Sequence, residues 1–150
     1  MRYFPALLAL LLAACGAAPP PAAAPPRADP AKESWYAQTI QELIANNRRA
    51  EELEKAGKSD DAATIITNAQ PLANRLLSAP QPPLAAMEAI SDSVQLYANM
   101  LLVNKNYGWA RLEYQKNVSR WKVWQPQTPD TERRLKLARD GIAECDRHIQ

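Results

Sequence analysis

Residues 84–124 read LAAMEAISDSVQLYANMLLVNKNYGWARLEYQKNVSRWKVW, and this stretch predicts a hairpin of two helices. Its apolar residues recur every three or four positions, the spacing that places side chains on one face of an α-helix. The third helix of the chain is expected from about Leu84 to Asn104, and the fourth from about Asn106. The inward residues expected are Met87, Ile90, Val94, Tyr97, Ala98, Leu101 and Leu102 in the third helix and Tyr107, Ala110, Tyr114, Val118 and Trp121 in the fourth.

The preceding residues predict an earlier hairpin. Its first helix should end near Gly57, and Ser59 is expected to cap a second helix whose first turn holds Asp60 and Asp61. Pro71 should kink this second helix or split it in two. The expected apolar stripes are Tyr36, Ile40, Leu43, Ile44, Ala50 and Leu53, then Ala62, Ile65, Ile66, Ala69, Ala73 and Leu76.

A fifth helix is predicted after residue 128. Thr128 is a good capping residue, and Pro129 suits the first helical position. The apolar stripe expected on this fifth helix consists of Leu135, Ala138, Ile142, Cys145 and Ile149. No segment alternates apolar and polar residues as a half-buried strand would. The sequence therefore predicts an all-α fold of about five helices in antiparallel hairpins.

The amino terminus predicts a secretion signal. Arg2 precedes an almost unbroken apolar run over residues 4–14, which ends in small residues. That run has 11 residues, whereas a membrane-spanning helix needs roughly 20. We therefore expect a cleaved signal peptide rather than a permanent transmembrane helix.

The end of this run resembles the lipobox of bacterial lipoproteins: Leu12, Ala13, Ala14 and Cys15. The resemblance implies that the thiol of Cys15 receives a diacylglycerol, that cleavage occurs just before it, and that the new amino group is acylated. Gly16 and Ala17 follow Cys15, so no acidic residue stands directly after it. The resemblance associates this absence of an acidic residue with the outer membrane, facing the periplasm. In a Gram-positive organism the cell surface would replace that compartment. The alternative is an ordinary secreted protein in which Cys15 is incidental.

Three regions follow from these signals. Residues 1–14 are the expected signal peptide, residues 15–30 the lipidated cysteine with a disordered Ala/Pro-rich tether, and residues 31–150 the helical domain. A polyproline-like tether rises about 3.1 Å per residue, so it could extend roughly 40 Å from a bilayer. With Cys15 lipidated, only Cys145 remains, and the domain must fold without an intramolecular disulfide.

The two hairpins also resemble tetratricopeptide repeats. Ala50, Leu53, Gly57, Ala62, Ile66 and Ala69 follow that pattern, as do Ala98, Leu101, Tyr107, Ala110 and Tyr114. The segment NKNYGWA at 104–110 resembles the turn of such a repeat. Ala62 and Ala110 lie 48 residues apart, however, whereas the repeat is about 34 residues long. The alternative is an ordinary antiparallel helical bundle. The resemblance implies binding of peptides or protein segments on a concave face.

Charge is unevenly distributed along the chain. Residues 29–92 contain ten acidic and six basic residues, net −4, whereas residues 105–139 contain nine basic and three acidic, net +6. The candidate binding residues in the basic half are Trp109, Arg111, Lys116, Arg120 and Trp124. Such a face could meet an anionic lipid, a cell-wall polymer or an acidic protein. Nucleic acid is not expected outside the cytoplasm. The alternative is that these cations only solvate the outer surface.

Catalytic and metal chemistry find little support in the sequence. Cys145 and His148 lie three residues apart, but His148 is the only histidine, so no second pair of metal ligands exists. Glycine-rich phosphate loops are absent, and no nucleophile is paired with a base. We expect no enzyme activity, no metal and no cofactor.

Two functions remain. The first is a noncatalytic, membrane-anchored envelope lipoprotein whose helical domain binds a protein or peptide partner. The second is a structural adaptor that binds cell-wall polymer or anionic lipid through the basic, tryptophan-containing face.

Overall fold

The apolar stripes form helices in the computed structural model of the protein, which describes residues 28–149. A short 3₁₀ helix, Pro30–Lys32, precedes five α-helices, and no residue from 28 to 149 lies in a strand. The helices are α1 (Ser34–Lys55), α2 (Ser59–Leu76), α3 (Leu84–Val103), α4 (Tyr107–Val123) and α5 (Pro129–Asp146). The prediction of an all-α chain of about five helices is confirmed.

The helices pack as two hairpins and a closing helix. α1 packs along α2, α3 packs along α4, and α5 packs along α4. α1 also contacts α3, and this contact joins the two hairpins. None of the helices between residues 28 and 149 is long and apolar enough to span a membrane.

The core combines large side chains with alanines at the helix crossings. Ala50, Ala62, Ala98 and Ala110 are fully buried, which lets paired helices approach closely. The largest buried side chains are those of Trp121, Tyr36, Tyr114, Leu43, Ile66, Leu76 and Ile90. Their polar atoms are paired: Tyr36 Oη donates to the carbonyl of Leu76 at 2.7 Å, and Trp121 Nε1 donates to Ser91 Oγ at 2.8 Å. These bonds avoid the cost of a buried polar group without a partner.

Short-range signals set two of the helix ends. Gly57 lies just beyond α1 with φ 73°, the left-handed conformation that glycine adopts without strain. At the start of α5, the backbone N–H of Thr131 donates to Thr128 Oγ1 and the N–H of Thr128 donates to Thr131 Oγ1, at 3.3 and 2.8 Å. Pro129 occupies the first helical turn, as predicted.

In α2, the predicted cap is wrong, and one of the two effects predicted for Pro71 does not occur. Ser59 does not cap the helix: Lys58 occupies the cap position, and Ser59 Oγ donates to Glu54 Oε2 at 3.2 Å. The carboxylate of the preceding helix therefore takes the hydroxyl that would have capped α2. Pro71 does not split the helix, which is continuous through it. The proline is exposed. Burial of Ala73 and Leu76, which follow it in the same helix, offsets the free-energy cost of the backbone hydrogen bond that proline cannot make.

Two residues of the predicted inward stripes are on the surface. Ile44 is 43% exposed, because it lies at the edge of α1 that faces a groove rather than the core. Ile149 is 45% exposed, because α5 ends at Asp146 and the helical spacing no longer applies beyond it.

Candidate binding groove between two helices

A groove of about 380 Å³ lies between α1 and α3. Its lining consists of Ile44, Asn47, Arg48, Glu51, Asp92, Gln95, Leu96 and Asn99. A second hollow of about 220 Å³ shares three of these residues, Glu51, Leu96 and Asn99. It continues toward the end of α1 and adds Glu54, Lys55, Met100 and Val103. We call the two together the α1–α3 groove.

The residues of each wall share one helical spacing. On α1 they occupy positions 44, 47, 48 and 51, and on α3 they occupy positions 92, 95, 96 and 99. Both sets follow i, i+3, i+4, i+7, which is one face of a helix. Each set is mostly polar, unlike the apolar stripe beside it. Two polar faces that meet along a helix pair form a groove able to make hydrogen bonds.

Asn47 has a buried acceptor without a donor. Its side chain is 6% exposed, and Nδ2 donates to the carbonyl of Ala89 at 2.8 Å. Within residues 28–149, Oδ1 has no hydrogen-bond partner. A buried polar atom left in this state costs about 1–3 kcal/mol. Almost none of this atom is open to the groove, so an N–H or O–H group of a ligand would recover that cost only after the lining side chains move slightly.

Glu54 has a second such acceptor, further along the groove. Oε2 accepts from Ser59, whereas the buried Oε1 has no partner in the described part of the chain. In the described residues, three buried side-chain polar atoms lack a hydrogen-bond partner: these two acceptors and Ser93 Oγ. Asn47 and Glu54 line the α1–α3 groove, whereas Ser93 does not. The groove is suited to a ligand that donates hydrogen bonds.

The side chain of Asn99 is held by two donors. Gln95 Nε2 donates to Asn99 Oδ1 at 3.1 Å, and Tyr114 Oη donates to the same atom at 2.8 Å. Burial, and to a lesser extent the negative charge that Cys145 carries once it ionises, raises the pKa of Tyr114 to about 12, so its hydroxyl stays protonated at neutral pH. Because both donors fix Oδ1, the amide nitrogen of Asn99 is the group left for a ligand.

Charged residues of α5 close the other end of the groove. Asp92 forms an ion pair with Arg134, which also donates to Asp130 Oδ2 at 2.6 Å. Hydrogen bonds from Arg134 and Arg133 hold the pKa of Asp130 below its ordinary value. Arg134 Cζ also lies 5.6 Å from the centre of the Trp121 ring. The cation is thus held by two carboxylates and an aromatic ring, which fixes this end of the groove.

The structure divides the five candidate residues of the basic half among different surroundings. Trp109 and Lys116 come together on the outer side of α4, where they line a broad hollow of about 600 Å³. Arg111 instead reaches α5, where its Nε lies 2.6 Å from Asp146 Oδ1.

The other two candidates face the interior of the domain. Arg120 is half-buried and donates to Asn117, and burial lowers the pKa of its guanidinium. Trp124 is half-buried, and its ring meets that of the buried Trp121 edge to face, with centroids 6.1 Å apart. The five residues therefore do not form one continuous surface.

The remaining candidates are either isolated or outside the described residues. Cys145 is fully buried, and burial raises the pKa of its thiol. His148 stacks on Tyr107 with ring centroids 4.3 Å apart, and its Nε2 lies 3.0 Å from Glu144. Residues 28–149 contain no group of three or more potential metal ligands. Cys15 and the proposed lipobox lie outside the residues that the structure describes.

Sequence reasoning missed the α1–α3 groove. The spacing of its polar residues is visible in the sequence, but their meeting depends on which helices pair, and no local signal encodes that. Comparisons of the chain with protein-family models, with curated proteins and with solved structures found no match.

Proposed function

We propose that this protein is a noncatalytic, lipid-anchored envelope protein that holds a segment of a partner protein in the α1–α3 groove. The observation that carries the proposal is the pair of buried acceptors without donors, Asn47 Oδ1 and Glu54 Oε1, along one groove. A polypeptide main chain presents N–H donors at regular intervals, and this is the chemistry that the two acceptors lack.

The dimensions of the groove support a short extended peptide. Its α1 wall runs from Ile44 to Lys55, or 11 residue steps, which at about 1.5 Å per residue gives roughly 16 Å. An extended chain advances about 3.3 Å per residue, so roughly five ligand residues would fit. Ile44 and Leu96 supply apolar contact, and the amide of Asn99 supplies a donor for a peptide carbonyl.

The envelope location rests on the amino terminus. The apolar run over residues 4–14, followed by the lipobox-like Cys15, supports export and lipid attachment. Several acyl chains anchor a protein stably, whereas one acyl chain binds only marginally. The resemblance to lipoproteins favours the outer membrane, and the Ala/Pro-rich tether would give the groove access to partners some distance from the bilayer.

The proposal is tested by capturing the partner through the groove. A photo-crosslinking amino acid at Gln95, in the α3 wall, should capture one protein in cells, whereas the same group at the exposed Thr67 on α2 should not. The captured protein is identified by mass spectrometry. The affinity of the captured protein for the purified chain is then measured.

Matched substitutions show whether the two acceptors matter. Asn47→Ala and Glu54→Ala should each weaken partner binding on the order of five- to tenfold, which corresponds to the free energy of about one hydrogen bond. The controls are Asn46→Ala and Glu42→Ala, which alter the same residue types on a surface of α1 that faces a different hollow. Thermal unfolding of all four variants reports folding separately. Equal affinity of the Asn47 and Asn46 variants would refute the groove as the binding site.

A further inference from the structure

α4 carries apolar side chains on two faces. Its inward face packs Ala110, Tyr114 and Trp121 into the core. Its outward face exposes three more apolar side chains: Trp109 at 66%, Leu112 at 49% and Val123 at 75%. A helix that only completes a core needs one apolar face, because the other face meets water. We call residues Trp109, Leu112, Lys116, Ser119 and Val123 the α4 outer face.

The α4 outer face is a continuous strip. Its residues occupy positions 109, 112, 116, 119 and 123, alternating steps of three and four, which place them in line along a helix. The strip covers 14 residue steps, about 21 Å at 1.5 Å per residue. The broad hollow of about 600 Å³ lies along its first part. The strip is therefore long enough to lie flat on a surface.

The segment that carries this strip has a net positive charge. From Lys105 to Val123 the chain contains five cations, Lys105, Arg111, Lys116, Arg120 and Lys122, and one acidic residue, Glu113, for a net charge of +4. Glu113 Oε1 lies 2.5 Å from Lys116 Nζ, and Arg111 pairs with Asp146. Among the residues that the structure describes, the cations of this segment that have no carboxylate partner are Lys105, Arg120 and Lys122. The partner of the α4 outer face should therefore be anionic.

The types of cation favour a lipid surface over a protein. Both arginines of this segment are engaged within the domain, Arg111 with Asp146 and Arg120 with Asn117. The exposed cations are lysines, which are depleted at protein interfaces. Lysine beside exposed tryptophan and leucine is typical of helices that lie in the plane of an anionic membrane surface.

We propose that the α4 outer face rests on an anionic bilayer, with Trp109 and Leu112 among the lipid headgroups. The exposed ammonium of Lys116 would exchange its partner Glu113 for a lipid phosphate. None of these residues lines the α1–α3 groove, so partner and membrane can be bound at the same time. This inference rests on the proposed function in one respect, since the lipid anchor proposed there is what brings the domain to a membrane in the cell. Together, the anchor and this face would set the orientation of the domain on the membrane.

The test measures whether Trp109 enters lipid. The full chain is combined with vesicles of brominated phosphatidylcholine, either alone or mixed with phosphatidylglycerol, and tryptophan fluorescence is recorded. The difference between wild type and Trp109→Phe isolates the contribution of Trp109. We expect this contribution to be quenched in the vesicles that contain phosphatidylglycerol and to recover as salt is raised. The apparent affinity should fall on the order of tenfold in Lys116→Glu, from the loss and reversal of one surface charge.

Lys58→Glu is the matched control. Lys58 is an exposed lysine in the turn between α1 and α2, and its substitution changes the net charge of the protein as much as Lys116→Glu does. Three results would overturn the proposal: no quenching of Trp109 with phosphatidylglycerol, equal quenching in both kinds of vesicle, or equal losses in Lys116→Glu and Lys58→Glu. Unquenched Trp109 together with protein capture by a photo-crosslinker at Ser119 would assign this face to a protein instead. Failure of the groove proposal appears separately, in the affinity of the Asn47 variant.

Discussion

At the scale of single residues, Gly141 shows how tightly α5 approaches α4. A Cβ atom added at this position would lie 2.6 Å from two atoms of the Tyr114 ring. The ring cannot retreat freely, because Tyr114 is 1% exposed and its hydroxyl is bonded to Asn99. Glycine is therefore required here by space, although it is a poor helix former.

Gly141→Ala should consequently destabilise the protein, by about 1–3 kcal/mol, the usual cost of overpacking. Chemical denaturation measures this change. Gly108→Ala is the control: it also lies in a helix, but no atom comes within 4 Å of the added Cβ. That variant should be as stable as wild type or more stable, by up to about 1 kcal/mol. Equal stability of the two variants would mean that α4 and α5 do not pack as closely as described.

The residue scale also explains why Trp109 and Trp124 differ. Neither belongs to the inward stripe predicted for the fourth helix, and Trp109 is exposed. Trp124 follows the last residue of α4, where the backbone becomes extended with φ −65° and ψ 139°. Helical spacing no longer applies there, and the ring packs on Trp121 instead. A stripe can be projected only as far as its helix extends.

At the scale of elements, the predictions that held were those with short-range causes. The start of α5 could be predicted because Thr128 and Thr131 bond to each other within one turn. The role of Ser59 could not be predicted in this way, because the acceptor of its hydroxyl, Glu54, lies on the preceding helix. The apolar stripes predicted five helices, yet the contact of α1 with α3 that forms the groove is tertiary. Its lining residues were therefore not among the predicted sites.

The capping interaction at α5 gives a direct test at this scale. Thr128→Ala removes the side-chain oxygen that accepts from the N–H of Thr131, and this should cost about 1 kcal/mol of folding free energy. Thr67→Ala, at an exposed position within α2, should change stability by less than about 0.5 kcal/mol. Urea unfolding of both variants checks the pair. Similar midpoints for the two would show that the cap does not stabilise α5.

At the scale of the whole molecule, two surfaces with different chemistry lie on different helices. The α1–α3 groove has buried acceptors and suits a ligand that donates hydrogen bonds. The α4 outer face combines exposed apolar side chains with lysine and suits an anionic surface. The uneven charge along the sequence follows the same division, with the acidic excess before residue 92 and the basic excess after residue 105. In the function proposed above, this division would let one small domain hold a partner at a membrane.

The proposed attachment to the membrane is through Cys15, and the two cysteines allow this proposal to be tested in the intact protein. Cys145 is fully buried and its pKa is raised by burial, so a thiol-alkylating reagent should not reach it in the folded chain. If Cys15 carries lipid, the protein purified from cells should react with no equivalents of reagent when folded and with one when denatured. Cys145→Ser, the control, should react with none in either state. One reactive thiol in the folded wild type and two after denaturation would show that Cys15 is free, and the intact mass would then lack the acyl chains.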